Sequence, residues 1–175
     1  MRIPRIAWAA YGFALFVIVL DQLTKAWILG SADISDPTLI PPGYPFAEVM
    51  PGVLNFTMVR NTGVSFGLFG GGEARWLLSL FSIAVAGFLA CWALQAQRRM
   101  LVAAIGLVIG GAIGNAIDRV RFGYVVDFID FSNTGVFPWV FNVADSAITI
   151  GVILLILDSV MSERKPGVGV VNEKA

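Results

Sequence analysis

Gly110–Ser146, GGAIGNAIDRVRFGYVVDFIDFSNTGVFPWVFNVADS, starts inside one apolar segment and finishes a turn or two into the next. Between the two lies a short loop carrying Asp127 and Asp130. Asn115, Asp118, Arg119, Asn142 and Asp145 occupy places where residues suited to hydrocarbon are expected. Ionisable groups at the ends of membrane helices are expensive, so by default they mark a working site. Helical spacing sets Asn115 on one face with Asp118 and Arg119, and gathers Asn142, Asp145 and Ser146 in the same way. The stretch therefore predicts two membrane helices whose polar ends, with the loop between them, bring Asp127 and Asp145 face to face.

The rest of the chain supports a membrane setting. Of its 175 residues, 57% are hydrophobic and only 14% charged, with a mean hydropathy of +0.79. A soluble domain of this length could not bury so much apolar side chain, which points to an integral membrane protein. Twelve basic and twelve acidic residues cancel, so charge gives no reason to expect nucleic acid as a partner. Histidine is absent, which removes Ser-His-Asp and Cys-His mechanisms and the usual zinc sites. Cys91 is the sole cysteine and lies in an apolar run, so it reads as a small packing residue. No metal or other cofactor is expected, and the chemistry falls to carboxylates, amides, hydroxyls, Lys or Arg.

Arg2 and Arg5 precede an apolar run from about residue 6 to 29, read as a retained first transmembrane helix because no small-residue cleavage site follows. Asp21 and Lys25 sit four apart on its far end and can neutralise each other. They read equally as an interfacial pair with a snorkelling Lys or as an anchor for a lipid headgroup or a nearby loop. From about 30 to 73 the composition turns to Pro, Gly, Asp and Ser, and Pro37, Pro41, Pro42, Pro45 and Pro51 exclude a long helix. Val53–Val59 is a strand candidate in this small β-rich cap. Further spans are expected at about 76–94, 101–117 and 140–160, the third carrying Gly106, Gly110 and Gly114 as a close-packing stripe. The fold class is thus an all-α membrane protein: a four-transmembrane-helix bundle with a β-rich cap, one domain over 1–165 and a tail over 166–175. Arg2, Arg5, Arg98, Arg99, Arg164 and Lys165 fall on one side of such a bundle, and the positive-inside rule makes that side cytoplasmic. The cap and the Asp127 loop then share the outer face.

Asp127 follows Tyr124-Val125-Val126, an apolar approach that leaves its carboxylate partly desolvated. If Asp127 and Asp145 converge, both cannot ionise cheaply, so one pKa rises and the pair shares a proton near neutrality. The ionised member can take a proton from water while the neutral one donates to a scissile carbonyl, the aspartic-protease arrangement. Three other readings of these acids stay open: a helix cap with a buried hydrogen-bonded acid, a proton or cation site of a small transporter subunit, and a packing scaffold. Asp118 and Arg119 read as a structural pair at a helix end, with Arg119 tying the helix to the loop. Asn115 and Asn142 read as interhelical hydrogen-bonders that orient the carboxylates. Asp130 belongs to the cluster or is an exposed loop acid, and Asp158 sits at the cytoplasmic end.

Five separate motifs stand in order along the chain: Asp21-Gln-Leu-Thr-Lys25, Asn61-Thr-Gly63 with Phe66-Gly67, Gly110-Gly-Ala-Ile-Gly-Asn-Ala-Ile-Asp-Arg119, Val125-Val-Asp-Phe128 and Phe141-Asn-Val-Ala-Asp-Ser146. With them the chain resembles the lipoprotein signal peptidase family (signal peptidase II) from end to end. Val64-Ser65 and the spacing of Pro138-Trp-Val-Phe141 depart from the family pattern. The resemblance implies a multi-pass aspartic endopeptidase of the bacterial inner membrane, with cap and active site periplasmic. It implies diacylglyceryl-prolipoprotein substrates, cut just before the lipidated cysteine, and membrane lipid as the other partner of a monomeric enzyme. By motif match the catalytic pair is Asp127 and Asp145. Asn55, Asn115, Arg119 and Asn142 support that pair or bind substrate backbone, and Asp21 and Lys25 belong to the polar framework near the outer surface.

Overall fold

An apolar run in hydrocarbon finds no water for its backbone N–H and C=O groups, so it satisfies them internally as helix. In the computed structural model, which describes residues 5–31, 45–63 and 73–163, the four apolar runs do this. They form α1 (Arg5–Ser31), α2 (Glu73–Ala93), α3 (Arg99–Phe122) and α4 (Val143–Glu163), each long and apolar enough to cross a membrane. Large side chains such as Phe16, Leu80, Phe81, Phe88 and Ile156 point outward from α1, α2 and α4. That is the expected face toward lipid.

The central helix is α3. It packs against each of the other three, and 72% of its apolar window is buried, against 22–28% for theirs. Its small residues make this possible, because close backbone approach needs the absence of a Cβ. A Cβ on Gly106 would lie 2.6 Å from the Ala10 carbonyl oxygen of α1, and one on Gly111 only 2.4 Å from the Ala144 carbonyl oxygen of α4. Ala10, Leu89, Leu101, Ile105, Val108 and Ile109 fill the contact between α1, α2 and α3. At one end of the bundle Arg98, in the α2–α3 turn, pairs with buried Asp158 of α4 at 2.6 Å and bonds Ser162. The end of α1 carrying Asp21 and Lys25 lies at the other.

A four-stranded antiparallel sheet covers that second end in the order β1 (Pro45–Met50), β2 (Leu54–Asn61), β3 (Val125–Asp130) and β4 (Val140–Phe141). The segment carrying Asp127 and Asp130 is thus a strand inside the sheet, not the expected loop. Val-Val-Asp-Phe-Ile-Asp has the β-branched and aromatic content that suits a strand, and β2 and β4 supply its hydrogen-bonding neighbours. The register sets Val59 opposite Asp127 and Asn55 opposite Asp130. Helix α3 runs five residues past the expected Ile117, to Phe122, and ends on Gly123. At φ 84° this glycine turns the chain into β3 while its N–H closes on the Arg119 carbonyl. Phe56 fixes the sheet to the bundle, its ring edge-on to Trp27 of α1 at 5.6 Å and to Phe128 of β3 at 5.8 Å. Residues 32–44 and 64–72 of the expected cap, and the expected tail, lie outside the described residues.

Candidate active site

Local sequence fixes where Asp145 points. Asn142 precedes α4 as its N-cap: its Oδ1 accepts the Asp145 N–H at 2.9 Å, and Asp145 Oδ2 accepts the Asn142 N–H at 3.2 Å. This reciprocal capping box satisfies two donors that a helix start otherwise leaves open. The other Asp145 oxygen accepts from Asn115 Nδ2 of α3 at 2.8 Å.

Asp127 reaches the same place from β3. Its Oδ1 accepts from Asn142 Nδ2 at 2.7 Å, so one asparagine holds both aspartates. Its Oδ2 accepts from Asn61 Nδ2 at 2.9 Å. Asn61, at the end of β2, is itself aimed by an Asx turn in which its Oδ1 accepts the Gly63 N–H at 2.8 Å. Asp127 is buried, and burial is the main reason its carboxyl is pushed up to about 7. The Asp145 charge raises it further, against the bonds from Asn61 and Asn142 and the charge of Lys25. A cleft of about 620 Å³ opens on Asp127, walled by Val59–Gly63 on one side and Pro138–Val140 on the other.

Beneath the pair lies a buried charge cluster. Lys25 Nζ sits 2.9 Å from Asp21 Oδ2, 2.8 Å from Asp118 Oδ2 and 3.1 Å from Asn115 Oδ1, one acceptor for each of its protons. Gln22 Nε2 donates to Asp118 Oδ1 at 2.9 Å. Asp21 Oδ1 accepts the Ala144 N–H at 3.0 Å, and Asp118 Oδ2 the Val126 N–H at 3.1 Å. Asp21 and Asp118 are 0% exposed and Lys25 2%. Asp21 and Lys25 are therefore neither a snorkelling interfacial pair nor a headgroup anchor. Charges removed from water survive only when paired and hydrogen-bonded, and here each one is.

Two further expectations change. Asp118 is not paired with Arg119, because Lys25 takes its carboxylate. Arg119 instead faces the charges of Asp145, Asp127 and Asp118, and its buried Nε has no partner among the described residues. Asp130 is buried, not exposed. Burial alone would raise its carboxyl, but Ser132 and Thr57 bond it and hold it below the usual range. Of the residues singled out in the sequence, Asp127, Asp145, Asn115 and Asn142 meet in one network, with Lys25 one bond away and Asp21 tied to it through Lys25. Asn55 does not join it, since the register places it at the Asp130 end of the sheet and its Oδ1 has no partner among the described residues. The amide that reaches Asp127 from the cap is that of Asn61. Gln22 was missed as well. The turn signal of Asn61-Thr-Gly63 marked the first, and the helical spacing of Gln22 beside Asp21 gave no comparable mark.

Residues 13–161 match the family described as Signal peptidase (SPase) II. A protein named lipoprotein signal peptidase from Caulobacter vibrioides is 50% identical over 166 residues, covering 94% of each chain. One of the same name from Shewanella loihica is 42% identical over 161 residues, 89% of this chain and 88% of its own. Among solved structures, a bacterial membrane enzyme determined by the in meso method has a TM-score of 0.70 and 35% identity, covering 89% of this chain and 91% of its own.

Proposed function

Because the chain belongs to the signal peptidase II family, a family of membrane proteases, we propose that it removes signal peptides from prolipoproteins with Asp127 and Asp145 as an aspartic dyad. The observation that carries this reading is the single asparagine, Asn142, bonded to both carboxylates where the cleft meets the bundle. With Asp127 pushed up to about 7, the pair holds one proton near neutral pH. Asp127 supplies that proton to the oxygen of the scissile carbonyl. Asp145 takes a proton from water, whose oxygen then bonds to the carbonyl carbon. The tetrahedral diol collapses as Asp145 returns its proton to the amide nitrogen, the C–N bond breaks to release the amine, and a hydroxyl of the diol gives its proton back to Asp127 as the carboxyl product forms. Arg119, with donor capacity to spare beside the pair, binds a substrate carbonyl.

The substrate is a diacylglyceryl-modified precursor, cut just before its lipidated cysteine. Its signal helix and acyl chains stay in the bilayer, so the scissile bond must lie near a membrane boundary, and the site's place at one end of the helix bundle supports this. Arg98 and Arg99 mark the opposite end as cytoplasmic. The sheet and the cleft are then periplasmic, and the enzyme is a monomer of the inner membrane. Trp139 lines the cleft and is largely exposed beside Val136, an apolar rim suited to a lipidated peptide. The Caulobacter vibrioides and Shewanella loihica relatives carry a peptidase's name, which favours this reading over ion-coupled transport through the same aspartates.

The test is to incubate purified wild type, Asp127→Asn and Asp145→Asn with a diacylglyceryl-modified precursor peptide. The wild type is expected to yield the shortened product and neither variant to do so while folded. Cleavage by both variants would remove the dyad from the mechanism.

A further inference from the structure

Two hydrogen bonds in the buried cluster have the same relation to the two aspartates of the dyad. Asp118 accepts the backbone N–H of Val126, the residue before Asp127, and Asp21 accepts that of Ala144, the residue before Asp145. Both acceptors are tied to one atom, Lys25 Nζ, at 2.8 and 2.9 Å. A third bond from the same ammonium, to Asn115 Oδ1, leads through Asn115 Nδ2 to Asp145 Oδ1. Stability alone gives no reason for a buried ammonium to join these two main-chain positions, because an apolar core of equal volume is often at least as stable as buried ion pairs. A dyad that shares one proton does need a fixed separation, since the coupling between its members depends on distance.

We propose that Asp21, Lys25 and Asp118 form a yoke that sets the spacing of Asp127 and Asp145. Lys25 is the pivot, and the two buried carboxylates are arms that each grip the strand or helix backbone just ahead of one member. All three are positioning residues, and Asp118 joins the site with a role separate from Arg119. The inference rests on the dyad reading and adds what holds the dyad at its working distance. Of the other charged groups nearby, Arg119 of α3 faces the pair, while Arg60 of β2 lines the cleft with its guanidinium over the Tyr124 ring. Asp130 of β3 is turned to Thr57 and Ser132, and Arg75 of α2 lies beside Gly123. None of these four grips the backbone ahead of Asp127 or Asp145.

The test compares kcat and KM against pH for Asp118→Ala, Asp118→Asn, Asp118→Glu and Asp21→Ala on a lipidated precursor peptide. A misplacement of about 1 Å costs up to about 100-fold, so the two Ala variants are expected to lose roughly 10- to 100-fold in kcat with KM nearly unchanged. As the pair loosens, Asp145 raises Asp127 less, and the alkaline limb of kcat moves to lower pH by about half a unit or more. Asp118→Asn removes the same charge but keeps an oxygen for the Val126 N–H, so it recovers much of the rate and moves the limb less than Ala does. Where an Ala variant does not fold, Asp118→Glu decides: it keeps the charge, lengthens the arm by one methylene, and should lower kcat with a displaced limb. Folded variants with wild-type pH profiles, or a loss confined to KM, would overturn the yoke. Activity in Asp127→Asn or Asp145→Asn would instead overturn the dyad reading beneath it.

Discussion

Asp127→Asn should abolish cleavage and yet stabilise the protein at alkaline pH. The folded state holds the Asp127 carboxyl at about 7, against the ordinary 3.8. Between those values the folded chain keeps a proton that the unfolded chain has released, so stability falls as pH rises from about 4 to 7 and then levels. At 1.36 kcal/mol per pH unit the full penalty is roughly 4 kcal/mol above pH 8, and roughly a third of it is already present at pH 5. Asparagine cannot ionise and escapes the penalty. It must, however, turn its own NH2 toward Asn61 Nδ2 or Asn142 Nδ2, both of which donate to Asp127. That mismatch costs about 1–2 kcal/mol at any pH. The variant should therefore match wild type near pH 5 and exceed it by roughly 2–3 kcal/mol at pH 8.5. For a chain of this size that is a rise in Tm of roughly 5–10 °C. Thermal unfolding of both proteins in one detergent at the two pH values measures it. The lost hydrogen bond cancels in the difference between pH values, so the test isolates ionisation. A Tm difference that is the same at both pH values, or larger at pH 5, would refute the reasoning.

Lys25→Met should destabilise the fold by roughly 3–5 kcal/mol, because it strands the buried Asp21 and Asp118 without a counter-charge. Chemical denaturation in detergent would reveal it, and a stable Met variant would mean that the carboxylates are not charged. Gly111→Ala should cost about 1–3 kcal/mol despite alanine's better helix propensity, since its methyl would meet the Ala144 carbonyl at 2.4 Å. An unchanged or raised Tm would show that α3 and α4 can separate freely.

What could be read from the sequence was whatever is encoded within a few residues. The four apolar runs, the Gly106–Gly110–Gly114 spacing and the polar ends of α3 and α4 are local patterns, and helical arithmetic handles them. The capping box is local too, so Asn142 and Asp145 were legible together. Partnerships across the chain were not. Asp118 looked like Arg119's partner because the two are adjacent, yet its counter-ion lies on α1. Asp21 and Lys25 read equally as an interfacial pair or as an anchor, because their burial comes from α3 and α4, which the α1 sequence does not mention. Val125–Asp130 reads as a loop in the sequence, since strand propensity alone weighs little until β2, far earlier in the chain, supplies the register. That same register separates Asn55, expected at the dyad, from Asn61, which reaches it.

The glycine stripe and the charge cluster, which belong to packing and to chemistry in the sequence, meet at Gly114. A Cβ there would lie 2.7 Å from Asp21 Oδ2 and 3.4 Å from the Ala144 Cβ. Close approach of α1 and α4 to α3 is thus what lets Asp21 reach the Ala144 N–H and Lys25 reach Asp118. Lipid offers no hydrophobic drive for helices to associate, so the approach depends on small residues and interhelical polar bonds together. The polar bonds would be too costly to bury if the helices stood further apart, and the helices would have less reason to close without them. Each condition supplies the other at one depth in the bundle, one turn below Asp118. On this view the dyad lies at the end of the bundle because only there can a dry, fully paired cluster sit directly beneath a cleft that water enters.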